Sequence, residues 1–243
     1  MIPIQVCDSG RYLYHFTNAE TALLCILPSL KLKFFTLIKT NDQMEKNPIG
    51  LCEIFSEIEP FIQVDVIKEF KNQIEESFRI ICLSTDFQVG KMWNSGYKHP
   101  LLWSHYTDRN SGVCLVLDKE RLMVETKTLG IHGKRVKYSN HRNLPKFELR
   151  ETGNIHKSVR AYLRKNENSL FFLKHKHWKF EHEYRILSTG KCEYLDISNS
   201  FHKIILGPEF KDEYLAYLKT IIHPEKISKI SVSWSGYIES PII

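Results

Sequence analysis

No two cysteines in this chain stand close enough to form a C-x-x-C pair. The six, at 7, 25, 52, 82, 114 and 192, are scattered, several of them inside apolar runs where cysteine behaves as a small hydrophobe. That spacing speaks against a zinc site or a disulfide framework and leads us to expect a reduced, cytoplasmic protein. Long apolar runs are missing too. Segments such as 22–27 and 113–117 fall far short of the ~20 residues that cross a bilayer, so no membrane association is expected. The first eight residues, MIPIQVCD, lack the basic-then-apolar layout of a signal peptide. The glycines form no Walker, Rossmann or nucleophile-elbow pattern, and H-E-x-x-H is absent. No period of twenty to fifty residues recurs, which excludes a repeat architecture.

What remains is the composition of an ordinary globular chain of 243 residues, 42% hydrophobic and 26% charged. That length buries a sizeable core, and strands and helices mix without strict alternation. The expected class is therefore α+β, a single domain over 1–243. The net charge of +6 is unevenly spread. Residues 157–179 carry seven Lys/Arg against one acid, Glu167, interleaved with Tyr162, Phe171, Phe172 and Trp178; residues 134–146 carry five and no acid. Such a 134–179 stretch suits a nucleic acid, with cations on phosphates and rings on bases. It equally suits a solvated charged face.

Residues 12–17 (YLYHFT) read as a strand, followed by a capping box at 17–20 and a helix over 19–27 that Pro28 stops. A second strand is expected at 30–36 and a loop over 39–50. A long amphipathic helix follows over 57–79, with Phe61, Val64, Ile67, Phe70, Ile74 and Phe78 on its apolar side. Strands are expected at 79–83, 113–117, 135–138, 203–206 and 228–234. Helices are expected at 101–106, 155–165, 170–178 and 212–223, and the 90–100 stretch reads as loop.

The segment 178–187 (WKFEHEYRIL) concentrates the chemistry. Read as a strand, it puts Glu181, Glu183 and Arg185 on one face, because side chains alternate with period two. Such charges are costly to bury unless paired or used. The other readings are a solvated strand face and a helix carrying a Glu181–Arg185 ion pair. His15 ends the first strand, as a structural hydrogen-bonding residue or a functional one. Ser84 and Thr85 end a buried strand, facing a cleft or beginning a loop. Trp103, Ser104, His105 and Tyr106 are either a ligand-contacting cluster or a core indole with polar neighbours. His175 and His177 near Glu181 sit among too many cations to collect a metal.

Taken in order, YLYHFT (12–17), Asn41-Asp42, ICLST (81–85), LLWSHYTDRNSGVCLVLD (101–118), WKFEHEYRIL (178–187) and KIILGP (203–208) resemble a widespread bacterial family of domains of unknown function. Its signatures are a W-S-H-Y block and a W-x-x-E-x-E-[YW]-R block. The order His-Phe-Thr, strand-Ser-Thr, Glu-x-Glu is also remotely similar to ADP-ribosyltransferases, DarT-type toxins among them. That resemblance implies an ADP-ribosyltransferase-like α+β fold of mixed sheets with flanking helices, and NAD as substrate. It implies a toxin or phage-defence effector that modifies nucleic acid or protein, with a neutralising partner protein.

Carried over, Glu183 is catalytic and fixes the nicotinamide ribose, His15 binds the ribose or pyrophosphate, and Ser84 and Thr85 scaffold the site. Glu181 orients or deprotonates the acceptor. The expected catalytic set is Glu183, Glu181 and His15. The expected NAD-binding set is His15, Thr17, Ser84, Thr85, Trp103, His105, Tyr106 and Arg185, of which Trp103, His105 and Tyr106 have no counterpart in the transferase layout. The alternative is a non-catalytic nucleic-acid or nucleotide binder on the same fold. A hydrolase using the glutamate pair comes third, since no metal-ligand spacing supports it.

Overall fold

The run Val113–Asp118 is apolar at five successive positions, all buried, as a strand must be when both faces of its sheet are covered. In the computed structural model, which describes residues 10–46, 53–149, 154–190, 192–234 and 236–242, this strand lies inside an eight-stranded mixed sheet. In chain order its strands are β1 (Tyr12–Thr17), β2 (Arg79–Thr85), β3 (Val113–Asp118), β4 (His132–Arg135), β5 (Glu183–Ser188), β6 (Phe201–Leu206), β7 (Ile227–Ser233) and β8 (Gly236–Pro241). Across the sheet they run β8-β7-β6-β3-β1-β2-β5-β4. Every neighbouring pair is antiparallel except β6–β7, which is parallel. The α+β class and the flanking helices thus match the expectation from sequence.

One face packs Leu13, Ile81, Leu83, Leu115, Ile186 and Ile204 beneath the helical stretch 19–29 and the helices Lys119–Thr128 and Glu213–Ile221. The opposite face carries two separate clusters. Around β2 and β5, Ile80 and Leu187 meet the helices Pro60–Ser77, Ile155–Lys165 and Glu167–Phe171. Around β1, β3 and β6, Tyr14, Cys114, Val116 and Ile205 meet Tyr97 and Trp103. Between the clusters the sheet is incompletely zipped. β1 and β3 pair along all of Tyr12–Thr17, whereas β1 and β2 pair only at Leu13↔Thr85 and Tyr14↔Ser84. Beyond Tyr14, the residues His15–Thr17 line an opening instead of continuing the ladder.

Several local expectations change. The first helix is capped by Asn18, whose side chain accepts the Thr21 N–H, and not by Thr17. It also continues past Pro28 to Ser29, because a π-helical stretch, Ala22–Ile26, rearranges the hydrogen bonds that the proline would break. Phe61 and Val64 are exposed; the buried stripe of Pro60–Ser77 is Val66, Phe70, Gln73 and Ile74. The 39–50 stretch holds a short helix, Gln43–Lys46, with 47–50 outside the described residues. A hairpin, Phe87–Val89 with Met92–Asn94, overlaps the presumed 90–100 loop. Of the helix expected at 170–178, only the first two residues are helical, as the end of Glu167–Phe171; a strand, Leu173–His175, and a 3-10 turn follow. The helix Lys119–Thr128 and strand β8 were not foreseen. Among the described residues, no helix is long and apolar enough to cross a membrane.

The turn into β3 holds this arrangement in place. Asp108, Arg109 and Asn110 all take positive φ, at 47°, 55° and 72°, and the chain then passes so close to β1 that only glycine fits. A Cβ on Gly112 would lie 2.2 Å from the Thr17 carbonyl oxygen, backbone that cannot yield cheaply. Gly112→Ala is expected to destabilise the fold by about 1–3 kcal/mol, an overpacking cost, measured by urea denaturation. An unchanged midpoint would show that the close approach is not enforced.

Candidate functional site

The segment 178–187 is not one strand. Lys176–Glu181 forms a 3-10 turn, His182 takes left-handed backbone angles (φ 45°, ψ 45°), and β5 begins at Glu183. A non-glycine residue in that region is strained and needs support. Ser84 Oγ donates to the Glu181 carbonyl at 2.7 Å, and Thr85 donates both its N–H and its Oγ1 to the His182 carbonyl at 3.0 Å. The His182 ring stacks on Phe87 at 5.3 Å. So the Ser-Thr pair scaffolds the site by pinning a bend. The bend, and not strand alternation, turns Glu181 and Glu183 toward the same cation.

That cation is Lys174, only 6% exposed. Its Nζ lies 2.6 Å from Glu181 Oε2, 3.4 Å from Glu183 Oε2 and 3.7 Å from Glu45 Oε2. Arg185, fully buried, grips Glu183 with two hydrogen bonds (Nε–Oε1 2.7 Å, Nη2–Oε2 2.9 Å) and donates Nη1 to the Phe171 carbonyl. Its Nη2 also faces Glu45 Oε1 at 2.8 Å, as an ion pair without hydrogen-bond alignment. Tyr106 donates its hydroxyl to Glu181 Oε1. The hydroxyl of Tyr138 accepts the Glu183 N–H at 2.8 Å.

Burial opposes ionisation of Glu183, but Arg185 and Lys174 outweigh it and hold the carboxyl down at about 2. For Glu181 burial prevails over Lys174, and its pKa is raised. Burial also works against the charge on Lys174, yet its three carboxylate neighbours raise its pKa. His15 is pulled down to about 4 by burial, its Nδ1 lying 3.4 Å from the Cys82 carbonyl, so the ring is neutral near pH 7.

These groups border a cavity of about 290 Å³ at the unzipped seam. His15, Thr17, Ser84, Tyr106, Glu181 and Glu183 all line it, with Phe16, Phe35 and Leu102 as apolar wall and Lys39, Asn41 and Glu45 on the side of the 39–46 segment. The structure therefore brings together most of the residues singled out from sequence. It separates others. Trp103 is a core residue, 0% exposed, its Nε1 donating to the Tyr97 carbonyl at 2.6 Å. His105 is exposed and outside the cavity wall, its ring 5.9 Å from that of Phe180. Thr85 stands behind the bend. Arg185 is enclosed by its partners, so it tunes Glu183 instead of reaching a phosphate.

Residues 102–186 match the family described as protein of unknown function (DUF2971). No curated protein and no solved structure matches the chain. The DUF2971 span holds Tyr106, Lys174, Glu181, Glu183 and Arg185, whereas His15, Glu45 and Ser84 lie upstream of it. Glu45 and Lys174 escaped the sequence reading. Lys174 looked like one more member of a basic run, although Phe171 and Phe172 beside it signalled burial. Glu45 gave no signal beyond following Asn41-Asp42.

Two outcomes check this account. Arg185→Leu removes the buried guanidinium from Glu183 and Glu45, leaving Lys174 alone against three carboxyl groups, and is expected to cost about 3–5 kcal/mol of stability; tolerance of the change in thermal unfolding would refute it. The stabilisation from Glu183, whose carboxyl is lowered from 4.5 to about 2, is present above pH 4.5 and is lost as pH falls through about 2. In denaturant titrations across that window, Glu183→Gln should flatten the acid limb.

Proposed function

We propose that the protein is a NAD-dependent ADP-ribosyltransferase whose reaction takes place in the cavity at the β1–β2 seam. The observation that carries the reading is the convergence of His15, Ser84, Glu181 and Glu183 on that one cavity. These residues come from β1, the end of β2, and the bend at the start of β5, three strands adjacent in the sheet. A site of about 290 Å³ lies near the lower end of the small-ligand range, a size suited to the nicotinamide–ribose end of NAD with the remainder outside.

The chemistry follows from the charges. When the bond between nicotinamide and ribose C1′ breaks, nicotinamide leaves with the electron pair and the ribose develops oxocarbenium character. An ionised carboxylate fixed beside it stabilises that positive charge without reorganising. Arg185 and Lys174 keep Glu183 ionised for this role. Glu181, of raised pKa, is the better proton acceptor and takes the proton of the acceptor group as its oxygen or nitrogen bonds to C1′. Tyr106 orients Glu181, which gives the W-S-H-Y block a place in the same site. Neutral His15 supplies a hydrogen bond to the ribose or pyrophosphate.

For the acceptor we favour a nucleic acid. Trp178, Phe180, His105 and Tyr106 form a path of neighbouring rings, with centroids 5.9–6.3 Å apart, that ends in the cavity wall. Exposed Lys176 and Lys179 flank it. The basic stretch as a whole is less uniform than its composition implied: Lys174 is buried, and Lys134 and Lys146 pair with Glu167 and Glu57.

The test is nicotinamide release, or transfer of label from NAD, with protein, DNA and RNA acceptors. Glu183→Gln should abolish it while circular dichroism stays native. Protein that neither binds nor consumes NAD with any acceptor ends this reading. Salt-dependent nucleic-acid binding that persists in Glu183→Gln would then favour a non-catalytic binder.

A further inference from the structure

Of the three glutamates bordering the cavity, Glu45 is the one that accepts no hydrogen bond from the described residues. Its side chain is 1% exposed, and it faces Arg185 at 2.8 Å and Lys174 at 3.7 Å in ion pairs that are not hydrogen bonds. A buried carboxylate without a donor is exceptional in folded proteins and calls for an explanation. The formal charges around it are unbalanced as well. Among the described residues, the four carboxyl groups of Asp42, Glu45, Glu181 and Glu183 are set against three cations, Arg142, Lys174 and Arg185. Other groups facing the site do not compensate. Burial keeps His15 neutral and Cys82, Tyr106 and Tyr138 protonated, and Lys39 stands exposed at the mouth. The remaining wall is rich in rings, with Tyr14, Phe16, Phe35 and Tyr106, surfaces that attract cations through their quadrupoles.

We propose that the cavity selects a positively charged, hydrogen-bond-donating ring, with Glu45 as its fixed acceptor and Glu181 as the second carboxylate facing it, and that it discriminates this ring from a neutral isostere. The inference deepens the transferase reading and rests on it for the natural ligand. The nicotinamide of oxidised NAD is a pyridinium cation bearing a carboxamide N–H₂, whereas the reduced ring is neutral. Glu45 thereby becomes a specificity residue, contributed by a segment upstream of both signature blocks. Seating the cation places a positive charge beside Glu45 in a partly enclosed site, where such an interaction exceeds its worth in bulk solvent.

The experiment compares 1-methylnicotinamide, the cation, with nicotinamide, its neutral counterpart, by calorimetric titration of the full chain, and NAD with its reduced form in parallel. The wild-type protein is expected to prefer the cation by about tenfold or more, on the order of one pair interaction in a partly screened site. In Glu45→Gln the preference should fall to about twofold or less, the same criterion of a weakened charge interaction. Should that variant fail to fold, Glu181→Gln, which removes the facing carboxylate, is expected to reduce the preference in the same direction, and the wild-type comparison needs no variant. Equal affinity of the wild type for the two probes, binding of neither, or a preference unchanged in the folded variants overturns the proposal. Consumption of NAD without preference for its oxidised form would sink this inference and leave the transferase standing. A strong preference for 1-methylnicotinamide in a protein that never consumes NAD would do the reverse.

Discussion

A buried ion network of Arg185, Lys174, Glu183, Glu181 and Glu45 is the constraint on which the site depends. Desolvating five charged side chains is expensive, and only their mutual pairing makes the arrangement tolerable. The pairing fixes geometry in return. Arg185 locks Glu183 from within its own strand, Lys174 reaches across from Leu173–His175, and Glu45 arrives from the segment preceding the long helix. Elements far apart in sequence are therefore held together by charge at the place where the apolar clusters on that face of the sheet leave a gap.

The same network explains how two glutamates a residue apart acquire different characters. Both are buried and both touch Lys174, but Glu183 alone has the guanidinium, while Glu181 has a phenol. Arg185 and Lys174 hold the pKa of one carboxyl down, while burial pushes that of the other up. Splitting a carboxylate pair in this way is the usual route to separate charge-stabilising and proton-transferring roles in one site.

Much of the framework was legible in the sequence because it follows from periodicity. The buried runs that became β2, β3 and β6 read as strands, and the helix Ile155–Lys165 was recognisable to the residue. The failures lie where local pattern yields to tertiary context. Alternation placed Glu181 on a strand, and the convergence it foretold is real, but a left-handed residue propped by Ser84 and Thr85 produces it. Trp103 was conspicuous for its neighbours, yet its indole fills the core and Tyr106 carries the contact with the site. Lys174 and Glu45 were invisible because a charged residue announces burial only through partners that the linear sequence does not show. Phe147 makes the complementary point: it sits in a stretch without regular structure and still plugs the cluster around Phe55, Phe70 and Tyr162.

Two backbone pairings are all that join β1 to β2, and they do so in the middle of the sheet. A sheet is ordinarily breached at its edges, where unpaired strands invite additions. Here the interior ladder is the weakest course of the masonry, and the cavity opens where its pairing stops. A guest entering at His15 would complete a wall left open, acting as a keystone between the halves that carry β3 and β5. Occupancy of the cavity and cohesion of the sheet are thereby coupled, so that a ligand at the seam should tighten the join between the two halves that the apolar core on the other face already spans.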